Sequence, residues 1–395
     1  MSRLLFVLIP ERGHLHPYLG PAQHLRARGH EVHVYAEGPV GPWLASHGLP
    51  HWPGEGGEGG EGGEAGERHA GAAFSAQVRD PAWLHGWIER MLLDGIDAQV
   101  ARIEAVMERL RPDGLVLDPM VYAGAIAAHR QGRPWAAVSN SLNPVLPDDL
   151  DSALLRTVAQ LAPRRAAIFA RHGLAPRFRG CDLLSDALTV CFSSPQVAGP
   201  APAGVHLVGA SLPVGPREPQ SGVDWAASGE RPRVLMSLGS QVYHQPRMFQ
   251  VAAAALRELG AHLIASVGEL HPDAIGPCPP GSVLRPFLPQ LEVLPHVDAM
   301  ITHGGANSVM EALAHEVPLL VSPICNDQFH QAELLRRRGL ARVVDLHTAR
   351  PAEVRAALEE LLHPAARRRL AGCLPRDGAL RCAELLERWI ARAPR

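Results

Sequence analysis

The chain contains no lysine: all thirty-eight basic residues are arginine. With the heavy use of Ala, Gly and Pro, this is the bias expected of a GC-rich bacterial gene. The missing amine excludes Schiff-base and pyridoxal chemistry. It also excludes the phosphate-binding loop whose lysine reaches the β- and γ-phosphates. Long apolar runs are missing too. None approaches the roughly 20 residues needed to span a bilayer. The N-terminal run, residues 4–9, is too short for a signal peptide and leads directly into Glu11 and Arg12. A cytoplasmic protein without stable membrane insertion is expected. Six cysteines with no C-x-x-C spacing exclude a disulfide framework or a zinc knuckle. A net charge of −2 with scattered arginines leaves no electrostatic footprint for nucleic acid.

What is present is enough apolar sequence for two domains. Hydrophobic residues make up 46% of 395, with 20% charged. The continuous apolar run at residues 4–9 predicts a buried parallel strand, and further strands are expected at residues 31–35, 114–117, 135–138 and 188–192. Residues 13–17 are expected to form a turn and 19–28 the first helix, with Gly29 as its cap. Residues 81–111 read as helical, with Trp83, Trp87 and Met91 at spacing four. The Gly-Gly-Glu repeats of residues 54–67 bury no apolar surface and predict a mobile loop. Pro, Gly, Ser and Ala dominate residues 195–233, a linker composition. A second alternating series follows, with strands at 234–238, 262–267 and 283–287 and helices at 248–259, 351–362 and 380–390. The expected organisation is an N-terminal domain (1–208), a linker (209–230), a second domain (231–375) and a C-terminal helix (376–395) returning to the first. Two doubly wound, Rossmann-like α/β domains facing an interdomain cleft are the simplest architecture.

The most informative segment is residues 301–331. An apolar run delivers His303, Gly304 and Gly305 to the start of a helix. That N-terminus offers unpaired N–H groups and about half a positive charge. Gly305 allows close backbone approach to a phosphate, and Asn307, Ser308 and His303 add donors. Glu311 lies one turn beyond Asn307 on the same face, about 6 Å along the axis. A carboxylate there suits vicinal hydroxyls and repels phosphate. Phosphate donors followed by an acid fit a nucleoside diphosphate.

Residues 285–331 resemble the nucleotide-binding signature of the UDP-glycosyltransferase superfamily, glycosyltransferase family 1 with the GT-B fold. The resemblance is carried by Phe287-x-Pro289-Gln290, His303-x-Gly305-x-Asn307-Ser308, Glu311, Pro318, Pro323 and Asp327-Gln328. It extends over essentially the whole chain, toward bacterial macrolide, carotenoid and other natural-product glycosyltransferases. It implies that Leu288 and Gln290 meet the base and ribose. His303, Gly305, Asn307 and Ser308 would hold the diphosphate, and Glu311 the ribose hydroxyls. Asp327 and Gln328 would bind the donor sugar, which favours glucose. Ser240, in the turn Ser237-Leu238-Gly239-Ser240, would lie near the phosphate. Position 287 is Phe where many members have Trp.

His14, in Gly13-His14-Leu15-His16-Pro17, follows the first strand. A lone His there is more often a cap than a catalyst. The resemblance turns it into a base with a suitable pKa, and Asp118, in the context D-P-M-V-Y, into the carboxylate that orients it. His16 departs from the family pattern, as a second donor or a rival base. Ser141 follows another strand and, with Ser139 and Asn140, is a candidate to touch the donor sugar or acceptor. Phe74, Trp83, Trp87 and Met91 suit an apolar acceptor pocket or, equally, a core. His30 and His33 lack the helical i, i+4 spacing of a zinc motif. The expectation is an inverting, metal-independent transfer of a hexose from a UDP- or dTDP-sugar to a hydroxyl of an apolar small molecule. No cofactor is implied beyond that co-substrate. A monomer or homodimer is expected. A GT-B nucleotide-sugar epimerase and a non-catalytic activator subunit are the alternatives.

Overall fold

The computed structural model describes residues 1–53 and 70–393. The repeat tract of residues 54–67, expected to be a mobile loop, lies outside the described residues. Contacts divide the chain into two units. One comprises Met1–Arg68, Pro81–Val214 and Arg376–Arg395; the other comprises His69–Asp80 and Gly215–Pro375.

The first unit is built on a seven-stranded parallel sheet. Its strands are β1 (Arg3–Val7), β2 (Glu31–Tyr35), β3 (His51–Trp52), β4 (Gly114–Leu117), β5 (Trp135–Ser139), β8 (Thr189–Cys191) and β9 (Val205–Leu207), in the order β3-β2-β1-β4-β5-β8-β9. A separate antiparallel hairpin pairs β6 (Arg177–Arg179) with β7 (Asp182–Leu184). Leu4, Leu5, Phe6 and Val7 are fully buried, as a central strand covered on both faces requires. The C-terminal helix Gly378–Arg392 packs on the helix Arg12–Ala27. Glu384 and Glu387 reach Arg28 at 3.2 and 3.1 Å.

Three local expectations are corrected here. Residues 13–17 are not a turn: the first helix runs Arg12–Ala27 and contains Pro17 and Pro21. Each proline deprives the carbonyl four residues earlier of its donor. Both carbonyls find side chains instead, Gly13 from Asn140 Nδ2 at 2.7 Å and Pro17 from Ser211 Oγ at 2.5 Å. The helical stretch 81–111 is two helices, Pro81–Leu93 and Ile96–Leu110, separated by Gly95 at φ 68°. Within the expected linker 195–233, residues 195–198 form a helical turn and 205–207 the edge strand β9.

The second unit has a six-stranded parallel sheet: β10 (Arg233–Ser237), β11 (His262–Ser266), β12 (Val283–Arg285), β13 (Ala299–Thr302), β14 (Leu319–Val321) and β15 (Ala341–Val343), ordered β12-β11-β10-β13-β14-β15. Its core joins the sheet to the helices Pro246–Leu259 and Pro351–Leu362 through Met248, Phe249, Leu256, Val354 and Leu358. The short helix Gly71–Gln77 belongs to this unit. Gly71 N donates to Gln241 O at 3.2 Å, and His244 N to Ser75 Oγ at 3.3 Å.

Both sheets grow outward in both directions from their first strand. Each therefore has a switch point where the order reverses, between β1 and β4 in one and between β10 and β13 in the other. Ligands of open parallel sheets bind at the carboxyl ends of strands at such points.

Candidate active site

At the first switch point, β1 leads into the helix that carries His14 as its third residue, and β4 ends at Leu117. His14 Nδ1 lies 2.6 Å from Asp118 Oδ2. The aspartate side chain is fully buried and the imidazole is 18% exposed. Asp118 is itself fixed: its N–H donates to Val7 O at 3.0 Å, and Oδ1 accepts from Met120 N at 3.0 Å. A carboxylate on Nδ1 selects the tautomer with the basic lone pair on Nε2 and stabilises the imidazolium.

Beyond β5 lies a polar cluster that sequence reasoning missed in part. Asp182, on β7, is buried and accepts from Ser139 Oγ at 2.5 Å, Asn143 Nδ2 at 2.7 Å and Ser141 Oγ at 3.5 Å. Burial pushes its carboxyl up to about 7. Ser141 is thus tied into this cluster, while neighbouring Asn140 holds the His14 turn through Gly13. The His16 ring lies against Trp43, tilted by 30° with centroids 5.5 Å apart. Trp83 and Trp87 stack at 6.4 Å on the helix that also carries Met91. Phe74 is not part of that stripe: it is buried on the helix Gly71–Gln77 of the second unit.

At the second switch point, β13 runs through His303 into the helix Ala306–Ala314. Gly305 is its N-cap, with no side-chain cap hydrogen bond. The first-turn amides therefore keep their capacity for an anion. The His303 ring is wedged between two glycines. A Cβ on Gly239, which has φ 78°, would come within 2.7 Å of the ring, and one on Gly305 within 2.5 Å. Burial lowers the His303 pKa to about 4, against a hydrogen bond to the Ser237 backbone that raises it. This ring is neutral at physiological pH and serves as a hydrogen-bonding group. Ser240 lies within the turn after β10 that includes Gly239.

Further along the helix, Glu311 is 2% exposed. Its Oε2 accepts from Gln290 Nε2 at 2.7 Å, and Ser308 Oγ donates to Gln290 Oε1 at 3.4 Å. The structure thus joins three of the sequence candidates in one network. Phe287 is 46% exposed close by in sequence, whereas Leu288 is buried. Asp327 is the N-cap residue of the helix Gln328–Arg337. The Gln328 carbonyl oxygen is turned inward, accepting from Ile324 N at 2.8 Å and Cys325 N at 3.0 Å. Its side-chain Nε2 donates to Cys325 Sγ at 3.5 Å and keeps one further N–H. A buried partner of Glu311 was not foreseen: Arg217 Nη1 lies 2.6 Å from Glu311 Oε1. Its only local signal was an Arg-Glu pair in a Pro- and Gly-rich stretch.

Residues 210–369 match the family model described as UDP-glucoronosyl and UDP-glucosyl transferase. The L-demethylnoviosyl transferase of Streptomyces niveus is 28% identical over 93% of both chains. The zeaxanthin glucosyltransferase of Pseudescherichia vulneris is 30% identical over 63% of this chain and 66% of its own. Among solved structures, the kitacinnamycin glycosyltransferase superposes with a TM-score of 0.76 at 25% identity, covering 98% and 99% of the two chains. Over residues 210–369 the chain matches the UDP-glycosyltransferase family.

Its fold is GT-B, and it is a glycosyltransferase. Two further features of this glycosyltransferase bear on its chemistry. Asp149-Leu150-Asp151 has D-x-D spacing, and Asp151 pairs with Arg156 on the surface. Among the described residues there is no group of three or more His, Cys, Asp or Glu that could hold a metal ion, and no helix long and apolar enough to cross a membrane.

Proposed function

We propose that the enzyme transfers a hexose, with inversion, from a UDP- or dTDP-sugar to a hydroxyl of an apolar small-molecule natural product. The observation that carries this reading is the 2.6 Å contact between partly exposed His14 and fully buried Asp118. An alcohol attacking an anomeric carbon must lose its proton near neutral pH. An imidazole oriented and charge-stabilised by a carboxylate takes that proton. The proton moves from the acceptor oxygen to His14 as the new C–O bond forms and the bond to the diphosphate breaks.

On the donor side, charge develops on the departing diphosphate. The uncapped amides at Gly305–Ser308 and the neutral ring of His303 meet it without a metal or other cofactor. Glu311 and Gln290 take the ribose, with Leu288 and exposed Phe287 beside the base. Asp327 and the Gln328 amide bind hydroxyls of the sugar, with glucose the favoured hexose. Acceptors of this class are supported by relatives named for zeaxanthin and for natural-product sugars. A nucleotide-sugar epimerase or a non-catalytic activator has no use for an acceptor base, so the His14–Asp118 pair counts against both.

The test pairs binding with turnover. His14→Ala is expected to bind nucleotide sugar as the parent does and to lose transfer; retention of full transfer would sink His14 as base and leave His16 next in line. A thermal-shift screen should show stabilisation by the correct donor through mass action. A flat response to UDP- and dTDP-sugars alike would remove the donor-site reading.

A further inference from the structure

Asp182 is 1% exposed, and no step of the transfer described above uses it. Its side-chain partners Ser139, Ser141 and Asn143 all come from the end of β5 and the loop after it, and all are neutral. That loop has a second attachment. Asn140 donates to the Gly13 carbonyl at 2.7 Å and so holds the turn that carries His14. One turn beyond His14, Tyr18 Oη donates to Val138 O, just ahead of the same loop. Asp182 grips the loop on one side, and the loop grips the first helix on the other.

Hydrogen counting puts a proton on Asp182. Ser139 Oγ lies 2.5 Å from Asp182 Oδ2 and 3.2 Å from the Ser141 carbonyl oxygen, and it accepts from Ser141 N at 3.2 Å. A hydroxyl has one proton to give. Given to a carboxylate, it is lost to the Ser141 carbonyl, which keeps only the Cys191 thiol at 3.2 Å. A protonated Asp182 instead donates to Ser139 and lets Ser139 donate onward. Burial also disfavours the charged carboxyl, taking its ionisation up to about 7 against the hydrogen bonds from Ser139 and Asn143. Asp118 and His14 act on it through space, as do Tyr18, Tyr122 and Cys191. Arg165, on the helix Ala153–Arg171, reaches the hairpin at Gly180 O, while Arg177 and Arg179 pair with Asp186 and Asp148. Once ionised, Asp182 would add a second negative charge in the field of Asp118.

Building on His14 as the acceptor base, we infer that Asp182 is a positioning residue that works as the neutral acid. It sets the loop whose Asn140 aims the His14 turn, and it spares the His14–Asp118 pair a second negative charge.

Steady-state kinetics of the full chain test this. Asp182→Ala removes the grip and should lower kcat about 10- to 100-fold, the scale of a small misplacement of a reacting group, with donor affinity unchanged by calorimetry. Asn140→Ala cuts only the link and should cost about ten-fold; added to Asp182→Ala it should cost little more, because the two act in series. Asp182→Asn keeps an acceptor for Asn143 and a donor for Ser139, and it does not ionise. It should stay within about three-fold of the parent kcat near pH 6, and its ratio to the parent should climb about ten-fold by about pH 9, as the parent carboxyl ionises. A ratio that stays flat overturns the neutral-acid role. Parent-like kcat in Asp182→Ala or Asn140→Ala overturns the positioning role. Should Asp182→Ala fail to fold, Asn140→Ala and the Asp182→Asn ratio decide. If His14→Ala keeps full transfer, the base reading has failed and this inference falls with it; lost transfer there beside parent-like loop variants confines the failure to Asp182.

Discussion

Two histidines stand at two switch points of the same topology, in opposite surroundings. His14 is partly open and rests on a buried carboxylate 2.6 Å away. His303 is buried between two glycines, and burial takes its pKa down to about 4. A carboxylate neighbour favours the charged ring, whereas desolvation disfavours it. One imidazole is thus suited to accept a proton and the other to stay neutral and donate a hydrogen bond. Strand order decides where such residues stand, and their immediate partners decide what they can do.

The sharpest way to break this comparison is to remove each partner in turn. His14→Ala should lower the transfer rate by about 10²–10⁴-fold, the usual reach of a general base, with nucleotide affinity unchanged by calorimetry. Asp118→Asn, which leaves the ring in place with the wrong tautomer favoured, should cost about 10²–10³-fold. The double variant should be little worse than His14→Ala, because the two act as a unit; additive losses would argue that they act separately. In the second unit, Gly239→Ala should act on stability. It strains a positive φ and presses a methyl against His303, at a cost of about 1–3 kcal/mol measured by denaturant unfolding. An unchanged midpoint would mean the ring is not wedged.

Between about pH 4 and 7 the two units should respond in opposite directions. Burial lowers His303 and His330 from 6.5 to about 4. Between those values the unfolded chain binds protons that the folded one refuses. Their contribution to stability is therefore complete above pH 6.5 and declines as pH falls toward 4. Asp182 runs the other way. Burial raises it from 3.8 to about 7, so the folded chain keeps a proton that the unfolded chain has released. Its contribution declines as pH rises from about 4 through 7. Asp182→Asn should remove that decline, so that the melting temperature rises more steeply between about pH 4 and 7; an unchanged slope over that window would contradict this. The smallest effect is expected from Ser308→Ala, a roughly two- to five-fold rise in donor KM for one lost neutral hydrogen bond.

Much of the sheet architecture could be read from the chain because buried parallel strands are continuous apolar runs. The apolar run 4–9 contains most of β1, and residues 114–117 are β4. The prolines of the first helix hid it, because the side chains that rescue it come from residues 140 and 211. The helix N-terminus at Gly305 was legible because its glycines, donors and acid are consecutive. The His14–Asp118 pair, 104 residues apart, was reached through the family resemblance and not through any local pattern. Asp182 and Arg217 went unseen for the same physical reason: each acquires its meaning from partners that no local periodicity connects. Phe74 falls in a different unit from Trp83, Trp87 and Met91, a division that no local pattern in the sequence marked.

The proline at position 17 makes folding order part of the turn that carries His14. An ordinary first helical turn forms from its own neighbours within about a microsecond. Here the Gly13 carbonyl, beside His14, waits for Asn140, 127 residues later in the chain. The turn that aims His14 is thus a product of tertiary assembly, completed only once β5 has joined the sheet. A ribosome-bound chain ending before residue 140 would carry His14 and Asp118 and still lack the donor that closes that turn.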